Sequence, residues 1–191
     1  MMIIQQTKFF FIDNSLKVTA IKALIGSLFI ALLAQVSIPL QPVPITGQTL
    51  GVTIVGFAFG KRAGVASVAL YLLEGALGLP VFANGSSGIA AFFGPTGGYL
   101  YGFLATAYIL GYFSDKGILN YPMAAFFIAI IASATTFVFG LLQLSFFVPA
   151  DKVLEYGFTP FIAGGLVKAL IASFTVSGAY KLSKKLDEKM Q

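Results

Sequence analysis

The sequence predicts an all-α integral membrane protein, a bundle of six transmembrane helices with both termini in the cytoplasm. Three observations lead to this fold class: an apolar composition, six long stretches with few charges, and positive charge concentrated on one side of the predicted topology. Of the 191 residues, 58% are hydrophobic and 10% are charged, against roughly 45–50% and 25% in soluble domains. So few charges cannot cover the surface of a soluble domain, and lipid is therefore the expected environment.

The six spans follow from the length that a helix needs to cross the hydrocarbon core, about 20 apolar residues. We expect one transmembrane domain over residues 1–191, with spans at about 18–38, 48–60, 63–79, 97–113, 123–148 and 160–182. The second span is short unless the proline-rich connection before it, residues 39–47, also enters the membrane.

The basic residues set the orientation. With both termini on one side, ten of the twelve basic residues share that side: Lys8, Lys17, Lys22, Lys61, Arg62, Lys116, Lys181, Lys184, Lys185 and Lys189. Lys152 falls on the other side, and Lys168 lies within the sixth span. This asymmetry places the termini in the cytoplasm. We therefore interpret the positive charge as a topology and lipid-headgroup signal, and expect membrane lipid rather than nucleic acid as its partner.

Catalytic chemistry has little support in this sequence. It contains no cysteine and no histidine, which removes thiol nucleophiles, imidazole bases and the usual transition-metal sites. The stretch GFAFGKR at residues 56–62 departs from a phosphate-binding loop, because three residues rather than four separate its glycines and Arg62 replaces the magnesium-binding hydroxyl. A Ser–Lys pair of Ser173 with Lys168 is the remaining catalytic alternative. We expect no enzyme, no cofactor and no metal.

Two charged residues lie inside predicted spans, Lys168 and Glu74. A charge near mid-span costs at least ~2.5 kcal/mol, so it usually has a partner or a function. Lys168 lies about 12 Å into the sixth span, where an ammonium suits an anionic carboxylate. The alternatives are that Lys168 extends toward the headgroups or pairs with Glu74. For Glu74, near the outer end of the third span, a structural and a functional role remain equally open.

Two outer connections, residues 39–47 and 80–95, contain no charged residue and are rich in glycine, proline and neutral polar residues. Such a composition suits a lid over a mostly apolar pocket. The segment PVFANGSSGIAAFFGPTGGY that starts at Pro80 offers hydrogen-bonding side chains, aromatic walls and glycines that permit close backbone approach. Its candidate ligand-binding residues are Phe82, Asn84, Thr96, Gly97, Gly98 and Tyr99.

The first span carries small residues four positions apart, at Ala23, Ser27 and Ala31. Such a stripe lets another helix approach closely. The stripe predicts either packing within the bundle or docking of a separate membrane subunit.

Four blocks of the sequence resemble the BioY family, the biotin-specific substrate-binding (S) components of energy-coupling-factor (ECF) transporters. The blocks are IPLQPVPITGQTLGV at 38–52, GLPVFANGSSG at 78–88, GPTGGYL at 94–100 and PFIAGGLVKALIA at 160–172. They occur in the family's order and at its spacing, so the resemblance covers about residues 18–182.

The resemblance implies a multi-pass protein of the bacterial cytoplasmic membrane that binds biotin with high affinity in an outward-opening pocket and serves its uptake. It implies as partners a transmembrane coupling protein and two ATP-binding subunits. The coupling protein would dock on the stripe of Ala23, Ser27 and Ala31. The two uncharged loops would close over the ligand, and the bundle would then tilt to release it inside.

The sixth-helix block departs from the family pattern, because Gly165 stands in place of an aspartate and Ala163 in place of a proline. Lys168 is present and would meet the carboxylate of biotin. The ureido ring would then need another partner, for which Asn84, Gln48 and Thr46 are the candidates. An S component for another small anionic vitamin and a non-catalytic structural membrane subunit are the alternative functions.

Overall fold

The computed structural model describes residues 15–189, so Lys8 of the basic set lies outside the described residues. The chain forms helices α1 (Leu16–Ala34), α2 (Gln48–Ala76), α3 (Gly97–Asp115), α4 (Pro122–Leu144), α5 (Val153–Gly157) and α6 (Ile162–Glu188). Two short strands, β1 (Ser37–Ile38) and β2 (Ile45–Thr46), pair antiparallel between α1 and α2. Single 3₁₀ turns occur at Ala83–Gly85, Ile89–Phe92, Ile118–Asn120, Ala150–Lys152 and Thr159–Phe161.

Within residues 15–189, four helical segments are long and apolar enough to cross a membrane by length and composition. They are Leu16–Ala34, Gln48–Ala76, Pro122–Leu144 and Ala150–Leu186. Leucines of α1 such as Leu24, Leu28 and Leu32 are exposed, as are apolar side chains along α6. A soluble protein rarely exposes so continuous an apolar surface. The prediction of a helical membrane protein is thereby confirmed.

Helix α2 reverses direction at Gly60, whose φ of 73° and ψ of −178° lie outside the helical region. Only glycine adopts this conformation at little cost. A Cβ added to Gly64 would lie 3.1 Å from the Cα of Gly56, although eight residues of straight helix span about 12 Å. Helix α2 is therefore a hairpin of two arms, residues 48–59 and 61–76. The carboxylate of Asp115 accepts a hydrogen bond from the Lys61 N–H at 3.1 Å and so closes the turn.

Several helix ends differ from the predicted span limits: α2 ends three residues before 79, and α6 continues six residues beyond 182. Helix α1 ends at Ala34, four residues before the expected limit, because Ser37 and Ile38 pair with Thr46 and Ile45 as strands. Helix α4 likewise ends at Leu144 rather than at 148. Hydrophobicity alone does not mark these ends, since the residues that leave the helix are as apolar as those within it.

The helices pack in a ring rather than in simple chain order. Helix α2 contacts α1 on one side and α3 on the other, α3 contacts α4, and α6 packs against both α4 and α2. Small residues bring the backbones together. A Cβ on Gly102 would lie 2.5 Å from the Cα of Thr136, and one on Gly111 would lie 2.4 Å from the Cα of Lys61.

Substituting Gly111 by alanine tests the contact between α3 and the turn of α2. Because the new methyl group would overlap the Lys61 backbone, we expect a loss of about 1–3 kcal/mol of stability. Thermal unfolding of the detergent-purified protein measures this loss. Gly178→Ala in α6 is the matched control, since nothing lies within 4 Å of its added Cβ. Equal melting temperatures for the two variants would contradict the close contact.

Candidate functional site

A cavity of about 300 Å³ lies at the end of the bundle where α2, α3 and α6 begin. Its volume is at the lower end of the range for small-molecule pockets, roughly 300–1,000 Å³. The loop before α2, the loop between α2 and α3, and one face of α4 complete its wall. The residues that line the cavity therefore come from several segments between residues 43 and 169.

Five aromatic side chains form part of the cavity wall. Phe82, Tyr99, Phe103, Phe137 and Phe161 all line it. Phe137 packs edge-on against Tyr99, with ring centroids 6.3 Å apart. Tyr99 is fixed further because its hydroxyl donates to the Gly157 carbonyl at 2.8 Å. These flat, rigid surfaces suit an apolar ligand body.

Lys168 is the only charged residue among the described residues that line the cavity. Its ammonium donates to the Thr46 carbonyl at 2.6 Å and to Thr49 Oγ1 at 3.3 Å. An ammonium has three protons, so one remains for an anionic ligand. Gly164 and Gly165 lie one turn earlier on α6 and leave open space where side chains would otherwise stand.

The alternative partners suggested for Lys168 lie elsewhere. Glu74 accepts a hydrogen bond from Ser27 Oγ at 3.1 Å, at the contact of α2 with α1. Ser173 is fully buried, and its hydroxyl has no hydrogen-bond partner in the part of the chain that the structure describes. The geometry therefore favours neither an ion pair of Lys168 with Glu74 nor a Ser–Lys catalytic pair.

The start of α2 adds further polar groups beside the ammonium. Thr46 Oγ1 donates to Gln48 Oε1 at 2.9 Å, and Gln48 Nε2 donates to the buried hydroxyl of Tyr71. Gly47 at the N-cap has no side chain to satisfy the first turn of the helix. Thr46 Oγ1 instead accepts a hydrogen bond from the Gln48 N–H at 3.3 Å. The positive end of the helix dipole favours an anion here.

The loop between α2 and α3 supplies three of the predicted residues. Phe82 is buried and packs edge-on against Tyr71, with ring centroids 5.5 Å apart. Asn84 has a positive φ of 57°, and its Oδ1 accepts a hydrogen bond from Ser37 Oγ. Thr96 lines the cavity just before α3. The structure thus gathers Thr46, Gln48, Phe82, Asn84, Thr96, Tyr99 and Lys168 around one cavity.

Gly97 and Gly98 do not line this cavity. A Cβ at Gly97 would lie 2.0 Å from the Phe92 carbonyl oxygen, and one at Gly98 would lie 2.1 Å from the Phe139 carbonyl oxygen. Both glycines are needed for the close packing of α3 against its neighbours. Their role in ligand binding stays a prediction.

The small-residue stripe of α1 faces inward. Ala23 is 7% exposed and Ser27 is fully buried, while Ala31 is half-buried. The neighbouring Gly26 is so close to α2 that an added Cβ would lie 2.3 Å from Ser67 Oγ. The second arm of α2 covers this face, so the stripe serves internal packing. Docking of a partner on Ala23, Ser27 and Ala31 stays a prediction.

Two glutamines that the sequence did not single out hold the loop between α2 and α3. Gln143 on α4 donates to the carbonyls of Phe92 at 2.9 Å and Gly94 at 2.7 Å. Gln35 after α1 donates to the Phe82 carbonyl at 3.2 Å and accepts from the Gly85 N–H at 3.0 Å. Such side-chain-to-backbone contacts between distant segments carry no sequence signature.

Comparisons with known proteins agree with one another. A sequence model of the BioY family matches residues 8–185. The biotin transporter BioY of Thermotoga maritima is 37% identical over 165 residues, which are 85% of this chain and 95% of the relative. BioY2 of Lactococcus lactis subsp. cremoris, also a biotin transporter, is 38% identical over 78% of this chain and 82% of its own length.

A solved structure has the same fold. The crystal structure of the S-component for biotin from an ECF-type ABC transporter matches with a TM-score of 0.80 and 29% sequence identity. The match covers 89% of this chain and 95% of the solved one.

Replacing Gln143 by alanine removes two hydrogen bonds to the loop backbone. Because each contributes about 1 kcal/mol, we expect amide hydrogen exchange of residues 90–97 to rise about fivefold or more. Exchange measured by mass spectrometry on the purified protein tests this. Ser145→Ala on the same helix end is the control, since its hydroxyl bonds only within its own helix, to Leu142. Unchanged exchange in Gln143→Ala would show that the loop is held by other contacts.

Proposed function

The chain belongs to the BioY family, and from this membership we propose that it captures biotin with high affinity for uptake across the membrane. It acts as the substrate-binding subunit of an ECF-type transporter and not as an enzyme. The resemblance found in the four sequence blocks is confirmed by the family match, the relatives and the solved S-component.

The observation that carries this function is the position of Lys168 in an otherwise uncharged, aromatic cavity. Biotin combines a polar urea in a fused bicyclic head with an apolar chain and a terminal carboxylate. One cation, aromatic walls and a few neutral hydrogen-bonding groups match these three parts. A cationic ligand would instead be repelled by the ammonium.

We place the carboxylate against Lys168 and the first turn of α2. Charge-assisted hydrogen bonds from the ammonium are about twice as strong as neutral ones, and the N-terminus of α2 adds a favourable dipole. Phe82 and Tyr99 are the walls for the apolar parts. Candidate partners for the ureido ring are Thr46, Gln48, Asn84 and Thr96, and no cofactor is required besides the transported ligand.

We also propose six membrane crossings in a single domain, with both termini on the cytoplasmic side of the bacterial inner membrane. The reversal at Gly60 supports two crossings within α2. The basic residues at Lys61, Lys116 and Lys181 then share one side, as the positive-inside rule requires.

A transmembrane coupling protein and two ATP-binding subunits are the proposed partners. Similarity to an ECF S-component supports them, and the sequence at residues 56–62 lacks the features of a nucleotide-binding loop. The energy for release inside the cell would accordingly come from the separate ATP-binding subunits. The stripe of Ala23, Ser27 and Ala31 is the proposed docking contact for the coupling protein.

Equilibrium binding of radiolabelled biotin to the purified protein, together with Lys168→Ala, tests the function. We expect saturable binding that the substitution weakens about tenfold or more, because the carboxylate loses its charged partner. Lys152→Ala is the matched control, since that lysine is exposed and pairs with Glu155 on the surface. Failure of well-folded protein to bind biotin would redirect the search to other anionic vitamins.

Single cysteines test the six crossings, since the chain has no cysteine of its own. Asp151→Cys lies in the connection proposed to face outward and Lys184→Cys near the C-terminal end. We expect a membrane-impermeant maleimide to label the first variant in intact cells and the second only after permeabilisation. Labelling of both variants in intact cells would contradict the proposed topology.

A further inference from the structure

The side chain of Gln48 is held at both ends by hydroxyl groups. Its Nε2 donates to the hydroxyl of Tyr71, and its Oε1 accepts from Thr46 Oγ1 at 2.9 Å. Both hydroxyls can donate and accept, so exchanging the nitrogen and oxygen of the amide would leave both contacts in place. The Gln48 amide is therefore fixed between the start of α2 and a residue 23 positions later.

Tyr71 lies behind the cavity wall. Gln48 and Thr46 line the cavity, whereas Tyr71 is not among the described residues that do so. The Tyr71 side chain is fully buried, at 0% exposure. It can therefore affect a ligand only through the residues that it contacts.

Tyr71 contacts two residues of the cavity wall from opposite ends of its side chain. Its hydroxyl holds Gln48, and its ring packs edge-on against Phe82, with centroids 5.5 Å apart. Gly75, one turn after Tyr71, leaves the space that Phe82 fills, since an added Cβ would lie 2.1 Å from Phe82 Cζ. The second arm of α2 thus supports one polar and one aromatic residue of the wall.

We propose that Tyr71 is a positioning residue for ligand binding, whose hydroxyl fixes the Gln48 amide for hydrogen bonding with the ligand. This inference rests on the proposed function, in which Gln48 is a candidate partner for the ureido ring of biotin. An amide carries both donors and acceptors, as a urea does, so the two groups are complementary. Among the described residues, Gln48 spends one of two amide protons on Tyr71 and one of two Oε1 lone pairs on Thr46.

Fixing Gln48 before the ligand arrives strengthens binding. A glutamine left free in the cavity would lose rotamer freedom when it contacts a ligand, and that loss weakens affinity. The contact with Tyr71 orders the side chain in the absence of ligand. The hydroxyl of Tyr71 therefore contributes to affinity without touching the ligand.

Equilibrium binding of radiolabelled biotin to Tyr71→Phe tests this role. The substitution keeps the ring and its contact with Phe82 but removes the hydroxyl. We expect the affinity to fall about fivefold or more, because Gln48 loses a hydrogen bond and becomes free to rotate. Tyr180→Phe is the matched control, since it removes the same group about 18 Å along α6 from Lys168. Its affinity should stay within about twofold of the wild type.

Gln48→Met separates positioning from a general loss of packing. Methionine keeps the approximate length and volume of glutamine but has no amide. We expect Gln48→Met to weaken biotin binding, and Tyr71→Phe to change the affinity less than about twofold in that background, because both act through one amide. A purely structural role of Tyr71 predicts the same loss in both backgrounds, and that additive result would overturn the inference.

The side-chain amide signals of Gln48 in ¹⁵N-labelled protein give a second readout, which applies even when Gln48→Met binds too weakly to measure. Their absence from Gln48→Met assigns them. We expect Tyr71→Phe to shift these signals and Tyr180→Phe to leave them in place. A loss of affinity in Tyr71→Phe with unshifted Gln48 signals would contradict positioning through the amide.

Thermal unfolding establishes that each variant is folded, and binding in native membrane vesicles replaces the detergent measurement for any variant that is unstable once purified. A folded Tyr71→Phe variant with wild-type affinity would overturn this inference alone. Wild-type protein that fails to bind biotin would instead overturn the proposed function on which the inference rests.

Discussion

The reversal of the chain at Gly60 is the constraint on which the rest of the molecule depends. Because the positive φ of this residue turns α2 back on itself, the start of α2 and the loop that follows it lie at the same end of the bundle. Gln48 can then reach Tyr71, 23 residues later. Asp115 and Gly111 hold the turn from α3. The cavity thus forms at one end because a turn at the other end is fixed.

The cavity contains a charged side chain, Lys168, within a helix that is otherwise apolar at this depth. An ammonium in this environment is costly unless it is partnered, and Lys168 meets that cost in part through the Thr46 carbonyl and Thr49 hydroxyl. Both partners are neutral, so the charge itself stays unbalanced until an anion binds. Because one ammonium proton and the charge both remain unmatched, the site suits a carboxylate.

Many residues of the site could be predicted from the sequence, because they differ from their neighbours in charge or polarity. Lys168 is recognisable as a charge within an apolar stretch, and the uncharged loop marked Phe82, Asn84 and Thr96. Tyr71 and Gln143 carried no such signal, because polar residues of this kind are common in membrane helices. The sequence alone does not distinguish the possible roles of Gly97, Gly98 and the stripe of Ala23 and Ser27, since a small residue permits close approach of a ligand, a partner or another helix equally well.

Composition, charge asymmetry and the four sequence blocks by themselves determined that this is a helical membrane protein of a biotin-transporter family with a lysine inside its last long helix. These features are local or summed along the chain, and a sequence records them directly. Only the tertiary structure decided which face of α1 is buried, which glycines serve packing, and that the amide of Gln48 meets the hydroxyl of Tyr71. These features depend on which residues of other helices each side chain contacts after packing. The spacing of residues along the sequence does not specify those contacts.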